Sequence, residues 1–190
     1  DLTMKEVVMS EQEIQNVCAS LGQQLTKELK DEAKLPLFLC VLQGALEFYA
    51  DLVKRVDLPI LQDFIEMKSY DGLGTTGQVK ITRDLTTNID GRTVVVVDDA
   101  VDTGLTMEAL VEHLKKSGHA TRIIICPLFD KRDKRRSSVR VDLCGKVILE
   151  NKFLMGYGFD YKGIKRNVPF VYVPDDKDIQ SMQEILAKRG

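Results

Sequence analysis

Residues Thr93 to Met107 read T-V-V-V-V-D-D-A-V-D-T-G-L-T-M, and within that stretch the chain changes structural period. Val94 to Val97 form a short apolar run of the kind expected of a strand buried on both faces. The run stops at two carboxylates, Asp98 and Asp99, and Ala100-Val101 lead to Asp102-Thr103-Gly104-Leu105-Thr106. Met107, Leu110, Val111 and Leu114 then recur at helical spacing as far as Gly118, which suits the residue just past a helix end. Strand, acidic turn, small-residue loop and helix is the order that places a ligand at the carboxyl edge of a parallel sheet.

The loop has its own chemistry. Asp102, Thr103, Gly104 and Thr106 stand where the chain turns into a helix, so unpaired backbone N–H groups and two hydroxyls face one spot. Such a helix start suits a phosphate group. Asp98 and Asp99 offer acceptor oxygens only, fit for ribose hydroxyls or a hard cation such as magnesium. They repel a bare phosphate, so they belong beside the phosphate cradle rather than in it. A solvated acidic turn with an Asp or Thr cap is the bland alternative; both chemistries a few residues apart after a four-valine strand argue against it.

Outward from this stretch, the same grammar repeats. Ser10-Glu11-Gln12-Glu13 is a capping box, and Ile14, Val17, Cys18, Leu21, Leu25 and Leu29 make an apolar stripe, so the pattern predicts a helix over 11–31. Leu37 to Leu42 is a second buried strand that ends at Gln43-Gly44-Ala45, with a helix over 45–56. Residues 61–69 read as a strand leading to Ser69-Tyr70-Asp71-Gly72-Leu73-Gly74-Thr75-Thr76-Gly77, whose glycines and threonines predict a mobile loop. Residues 78–85 return as a strand, and Asp90-Gly91 turns into the central one. Thr121 to Leu128 is a further strand, followed by Lys131 to Arg136, where five of six residues are basic. Most of such a run is ordinarily a solvated loop; Lys131, just past a buried strand, stands on the same edge as the other turns. Residues 139–143 and 146–149 predict a hairpin about Gly145. Residues 169–173 predict a last strand, and Asp175 or Asp176 caps a terminal helix with Ile179, Met182, Ile185 and Leu186 on one face.

Size and composition bound the rest. A chain of 190 residues, 44% hydrophobic and 29% charged, has room for one α/β domain with a real core. A formal charge of −2 argues against general attraction to nucleic acid or membranes. Cys18, Cys40, Cys126 and Cys144 are widely spaced in apolar surroundings, neither a zinc pattern nor a disulfide scaffold, which points to thiols in a cytoplasm. No signal peptide or apolar run of membrane length is visible. No G-x-G-x-x-G follows the first strand and no Asp-x-Asp follows the valine run, which sets aside a dinucleotide enzyme or an aspartyl phosphatase.

The string V-V-V-V-D-D-A-V-D-T-G-L-T-M resembles the phosphoribosyl-pyrophosphate motif of the type I phosphoribosyltransferases. Lys152-Phe153-Leu154-Met155-Gly156-Tyr157-Gly158-Phe159-Asp160-Tyr161, with Arg166-Asn167-Val168-Pro169, resembles a segment of the hypoxanthine-guanine branch. The resemblance covers roughly residues 5–174. It implies an α/β fold with a twisted, mostly parallel sheet flanked by helices, a small hood lobe from the N-terminal part and roughly 139–175, and a catalytic lid over roughly 68–80 beginning at Ser69-Tyr70. It implies transfer of 5-phosphoribose from phosphoribosyl pyrophosphate to hypoxanthine or guanine, with Mg2+ as cofactor and a homodimer or homotetramer as assembly.

Residue by residue, the resemblance makes Asp102 the general base, and Thr103, Gly104, Leu105 and Thr106 the 5-phosphate cradle. Gln43 and Gly44 form the pyrophosphate turn, often crossed in the family by a non-proline cis peptide. Asp98 and Asp99 hold ribose and one magnesium; Asp160 holds a second. Lys131 donates to the six-position oxygen of the purine, Phe153 stacks on its face, Leu154 presents main-chain groups to its edge, and Arg166 pairs with pyrophosphate. Three departures stand out: Gln43 and Leu105 where the family commonly has lysine, and Leu149-Glu150-Asn151 where it has Ile-Pro-Asp. A competing reading is a phosphoribosyl-pyrophosphate-binding regulator of the same fold acting on nucleic acid, for which the basic run Lys131 to Arg136 is the favouring feature.

Overall fold

The computed structural model describes residues 6–70 and 78–190. In chain order its elements are β1 (Glu6–Met9), α1 (Glu11–Leu29), β2 (Leu37–Leu42), α2 (Leu46–Val53), β3 (Leu61–Ser69), β4 (Val79–Arg83), β5 (Thr93–Val101), α3 (Leu105–Lys116), β6 (Arg122–Asp130), β7 (Lys146–Val147), β8 (Val171–Val173) and α4 (Asp176–Arg189). A 3-10 turn, Arg132–Lys134, follows β6.

Six strands form one sheet in the order β4-β3-β2-β5-β6-β7. Its neighbours run parallel except β4, which adds antiparallel to β3 at the edge. The four valines explain why β5 lies at the centre. Val95 and Val97 join Phe38 and Cys40 in a core with α1 and α2. Val94 and Val96 join Leu37 and Leu39 in a second core with Met107, Leu110 and Leu114 of α3. A strand with alternate side chains in two cores must be apolar at every position, which is why the run does not alternate. All four valines are fully buried.

The capping box at Ser10 forms as the sequence predicts, with Ser10 Oγ accepting from the Glu13 amide and Glu13 Oε1 from the Ser10 amide, each at 3.1 Å. The helix it starts ends at Leu29 rather than 31, with Lys30 as its C-cap. The helix expected over 45–56 is regular only over Leu46–Val53 and unwinds through Arg55 N–H to Leu52 O and Val56 N–H to Val53 O bonds.

Several expectations are corrected. Asp98 and Asp99 are not a turn: β5 continues through both to Val101, because β6 also extends and pairs with it as far as Val101↔Asp130. Residues 139–149 make no hairpin. The Asp142 and Leu143 amides donate to Ile125 O, and Asp142 Oδ2 accepts from the Ile125 amide at 2.9 Å, so the segment is held along the edge of β6 instead of folding on itself. Only Lys146–Val147 becomes a strand, parallel to β6. Behind α3 the left-handed residue is His119 (φ 58°), not Gly118; a Cβ at Gly118 would crowd Ile89 Cγ1 at 2.8 Å and the Leu114 carbonyl at 2.8 Å, so its glycine serves close packing. The strands expected over 78–85 and 169–173 are shorter, Val79–Arg83 and Val171–Val173.

β1 pairs antiparallel with β8 in a separate two-stranded sheet. Met155, Tyr172 and Met182 form a small core there, with Ile179 packed against it and Ile185 left outward. Asp175 caps α4 with its own capping box. Among the described residues no helix is long and apolar enough to cross a membrane.

Candidate active site

Parallel strands β2, β5 and β6 end at one edge, and the turns that follow them meet there. At the end of β6 the Lys131 amide donates to Val101 O at 3.0 Å, which brings the basic run against the loop after β5. Lys131 Nζ lies 3.6 Å from Asp102 Oδ1, and Lys134 Nζ lies 3.8 Å from Asp102 Oδ2. Asp102 and Lys131 therefore face one another, as a single purine-and-phosphate pocket requires. A cleft of about 610 Å³ opens above them, lined also by Asp99, Lys152, Phe153, Leu154 and Asp160. Phe153 is about half exposed (51%) and lines this cleft, whereas Leu154 is buried. An exposed phenylalanine at a polar cleft is not a core residue.

The basic run is not a solvated loop throughout. Asp130, buried at the last position of β6, accepts from Arg132 Nε at 3.1 Å and from Arg135, whose side chain is largely buried. Arg135 also donates through Nε to Asp102 O at 3.2 Å, and the Arg136 amide donates to Thr103 O at 2.8 Å. These bonds tie the lysine-bearing turn to the D-T-G loop.

In that loop, Gly104 caps α3 in the left-handed region (φ 82°), and a Cβ there would run into Ser137, Val139 and Arg135. Leu105 and Thr106 open the helix, and the Leu105 amide donates to Thr103 Oγ1 at 3.3 Å. On the other side, the Leu42–Gln43 peptide is cis, as the resemblance implies. Gln43 is exposed. Gly44 packs so closely on Asp99 that any side chain would strike the Asp99 carboxylate.

Asp98 Oδ1 accepts from the Asp99 amide at 2.8 Å and Asp99 Oδ1 from the Ala100 amide at 2.6 Å. Burial pushes both carboxyl groups up, Asp98 the further because the Asp99 charge adds to it. Two adjacent acids forced together in poor solvent are a site short of positive charge. Among the described residues no three His, Cys, Asp or Glu side chains converge to enclose a metal. The acceptor-only pair fits a hard cation such as magnesium, an ion that binds through one or two carboxylates and keeps several waters.

Asp160 and Arg166 are brought together rather than left open. Arg166 donates to Gly158 O at 2.5 Å and its other terminal nitrogen stands 3.4 Å from Asp160 Oδ1, while the Gly163 amide donates to Asp160 Oδ2 at 2.7 Å. Ser69 ends β3 and Tyr70 is exposed beside it; residues 71–77 of the expected lid lie outside the described residues. Sequence reasoning missed Lys134 and Lys152 in the cleft. Within a basic run only position could have marked Lys134: it follows Lys131 by three residues, one turn of 3-10 helix.

The edge of parallel strands, the acidic pair and the D-T-G helix start define a nucleotide-handling transferase of the α/β class. Residues 9–162 match the phosphoribosyl transferase domain family, and the chain belongs to that family. It is 40% identical over 169 residues to the hypoxanthine-guanine-xanthine phosphoribosyltransferase of Tritrichomonas foetus, covering 88% of this chain and 90% of that one. It is 39% identical over 171 residues to the hypoxanthine-guanine phosphoribosyltransferase of Bacillus subtilis, covering 90% and 93%. A crystal structure of a hypoxanthine phosphoribosyltransferase from Staphylococcus aureus superposes with a TM-score of 0.85 at 34% identity, covering 91% of this chain and 92% of the other.

Proposed function

We propose that this chain is a purine salvage enzyme that transfers 5-phosphoribose from phosphoribosyl pyrophosphate to hypoxanthine or guanine, giving IMP or GMP and pyrophosphate. The observation that carries the reading is Asp102 standing between Lys131 and Lys134 in a cleft walled by Phe153. The bond between the ribose anomeric carbon and pyrophosphate breaks, a bond from that carbon to a purine imidazole nitrogen forms, and the purine's imidazole proton passes to Asp102. Lys131 donates to the six-position oxygen, which an adenine amino group cannot accept. Phe153 stacks on the base, the edge of Leu154 reads it, and the start of α3 from Thr103 to Thr106 holds the 5-phosphate through backbone N–H groups. Gln43 and Gly44 face pyrophosphate.

Asp98 and Asp99 would hold a magnesium ion, which would supply charge neutralisation for the departing pyrophosphate. Asp160 is the candidate for a second ion and Arg166 for a direct pyrophosphate contact; both are spoken for by each other in the free chain. Holding the reactants in line and meeting the developing charge are the two physical tasks of the site. The hood and the lid over roughly 68–80, from Ser69-Tyr70, belong to the same reading, as does a homodimer or homotetramer. A cytoplasmic setting is supported by four free cysteines, with burial raising the Cys18 and Cys40 thiols to about 11 and about 12.

The regulator reading is weakened, since Lys131, Lys134 and Arg135 of the basic run are engaged by Asp102 and Asp130, although Arg132 and Arg136 are exposed. Pyrophosphate release with phosphoribosyl pyrophosphate, Mg2+ and each of hypoxanthine, guanine, xanthine and adenine tests the proposal. Release with 6-oxopurines and none with adenine is expected. No release with any of them overturns it.

A further inference from the structure

The segment that carries Phe153, Leu154 and Asp160 has an unusual backbone. Gly156, Tyr157 and Gly158 all have positive φ, at 86°, 50° and 101°. Tyr157 has a Cβ and occupies the left-handed region at some cost, so its surroundings must hold it there. They do so at both ends. Its amide donates to Val168 O at 2.7 Å, and its hydroxyl donates to Asp51 Oδ2 at 2.6 Å. The ring is buried, 5% exposed, and Cys18 of α1 lies at the phenol. Burial raises the phenol far above its ordinary range, with the Asp51 bond next in weight, so it remains a donor.

Asp51 is on α2, and α2 begins two residues after the Gly44 turn. Asp51 also pairs with Lys54, whose Nζ lies 3.6 Å from Asp51 Oδ1. Next to Tyr157, Gly158 lies against the carbonyl of Gly44 so tightly that a Cβ on Gly158 would collide with it. The purine-facing segment and the pyrophosphate-facing turn thus touch at Gly158 and are bound at Tyr157 to the one helix that begins at that turn.

We propose that the Tyr157–Asp51 hydrogen bond is a strut that couples occupancy of the pyrophosphate turn to occupancy of the purine cleft. Tyr157 is then a positioning residue; it faces the core, not the cleft. The inference rests on the site reading above. Through the strut, a shift of the Gly44 turn on binding pyrophosphate moves α2, Asp51 and the segment bearing Phe153 together. Without it, the Gly158–Gly44 contact is left to join the two sites and their coupling falls.

The test uses hypoxanthine and magnesium pyrophosphate, which together lack ribose and cannot react. Calorimetric titration gives the hypoxanthine dissociation constant with and without saturating magnesium pyrophosphate. The parent chain is expected to show a ratio of roughly fivefold or more, the scale of ordinary site coupling. Tyr157→Phe keeps the ring and removes the hydroxyl, and should bring the ratio to within about twofold of one. Asp51→Leu removes the bond from the other side and should do the same, so the test survives if either variant fails to fold. Asp51→Asn keeps an acceptor oxygen and should retain the parent ratio, which a loss of packing would not reproduce. A parent ratio preserved in Tyr157→Phe or Asp51→Leu overturns the strut while leaving the site reading intact. A parent ratio of one overturns the strut as well. Failure of both ligands to bind the parent chain overturns the strut and the site reading together.

Discussion

Replacing Arg135 with methionine removes a guanidinium that serves two elements at once. It pairs with Asp130, whose side chain is 2% exposed, and donates to the backbone of Asp102. Taking one partner from a buried ion pair commonly costs about 3–5 kcal/mol, because the other charge is left without compensation. Arg132 still reaches Asp130 at 3.1 Å, but its side chain is 61% exposed and compensates only in part. The loss expected for Arg135→Met is therefore near the lower end, about 3 kcal/mol. For a chain of this size that corresponds to a fall in Tm of roughly 6–12 °C. Urea unfolding should show a lower midpoint at an unchanged slope. The double variant Arg135→Met with Asp130→Asn removes the stranded charge, so it should lose less than the sum of the two, with a coupling of about 1–3 kcal/mol. The same change frees the turn that carries Lys131 and Lys134, so KM for hypoxanthine should rise more than kcat falls. A single variant within about 0.5 kcal/mol of the parent would refute this account of Asp130.

Three further outcomes follow from the site. Asp102→Asn keeps the shape of the loop and removes the proton acceptor; turnover should fall by roughly 10²–10⁴-fold with phosphoribosyl-pyrophosphate affinity retained, and steady-state rates with direct binding check this. Lys131→Ala should weaken purine binding and narrow the preference over adenine, read from competition between the two bases. Asp98 and Asp99 are both raised, so the folded chain keeps protons that the unfolded chain has released once pH exceeds the ordinary carboxylate range. Their contribution to stability is then lost as pH rises through the folded values, and Mg2+ should raise Tm more at pH 8 than at pH 5; equal shifts at both would count against the pair as the ion's seat.

What could be read in the sequence depended on how local its cause was. The central strand, the helix after it and the capping box at Ser10 are written in neighbouring residues, and they appear where the pattern places them. The ends of elements were misread where a distant partner decides them. Nothing near Asp98 says that β5 runs on; the reason is that β6 remains beside it until Asp130. Alternation in 139–149 is a fair hairpin signal, yet Asp142 reaches back to Ile125 and the segment follows β6. The site shows the same division. Asp102, Lys131 and Phe153 converge as the motif order implies, because each follows or flanks an element ending at one edge. That Arg135 is held inside by Asp130, or that Asp51 receives the Tyr157 hydroxyl from 106 positions away, is a fact of packing that no window of sequence contains.

The two lysines that the wider family commonly has, and this chain lacks, bear on how its site handles charge. Gln43 and Leu105 supply no cation of their own to the turn after β2 and the start of α3, so backbone amides and a helix end carry more of the phosphate contact there. On the proposed reading, pyrophosphate would draw its compensating charge from Arg166 and from an ion that Asp98 and Asp99 would hold. Arg166 is not idle: Gly158 O and Asp160 already engage it. A ligand that takes over the Arg166 nitrogen now facing Asp160 would displace that contact and open Asp160 Oδ1 to a second cation, with Oδ2 still accepting from the Gly163 amide. Arginine leaving and metal arriving would thus be one exchange at Asp160. In this chain, with no lysine at either turn to share the load, pyrophosphate affinity should depend steeply on Mg2+.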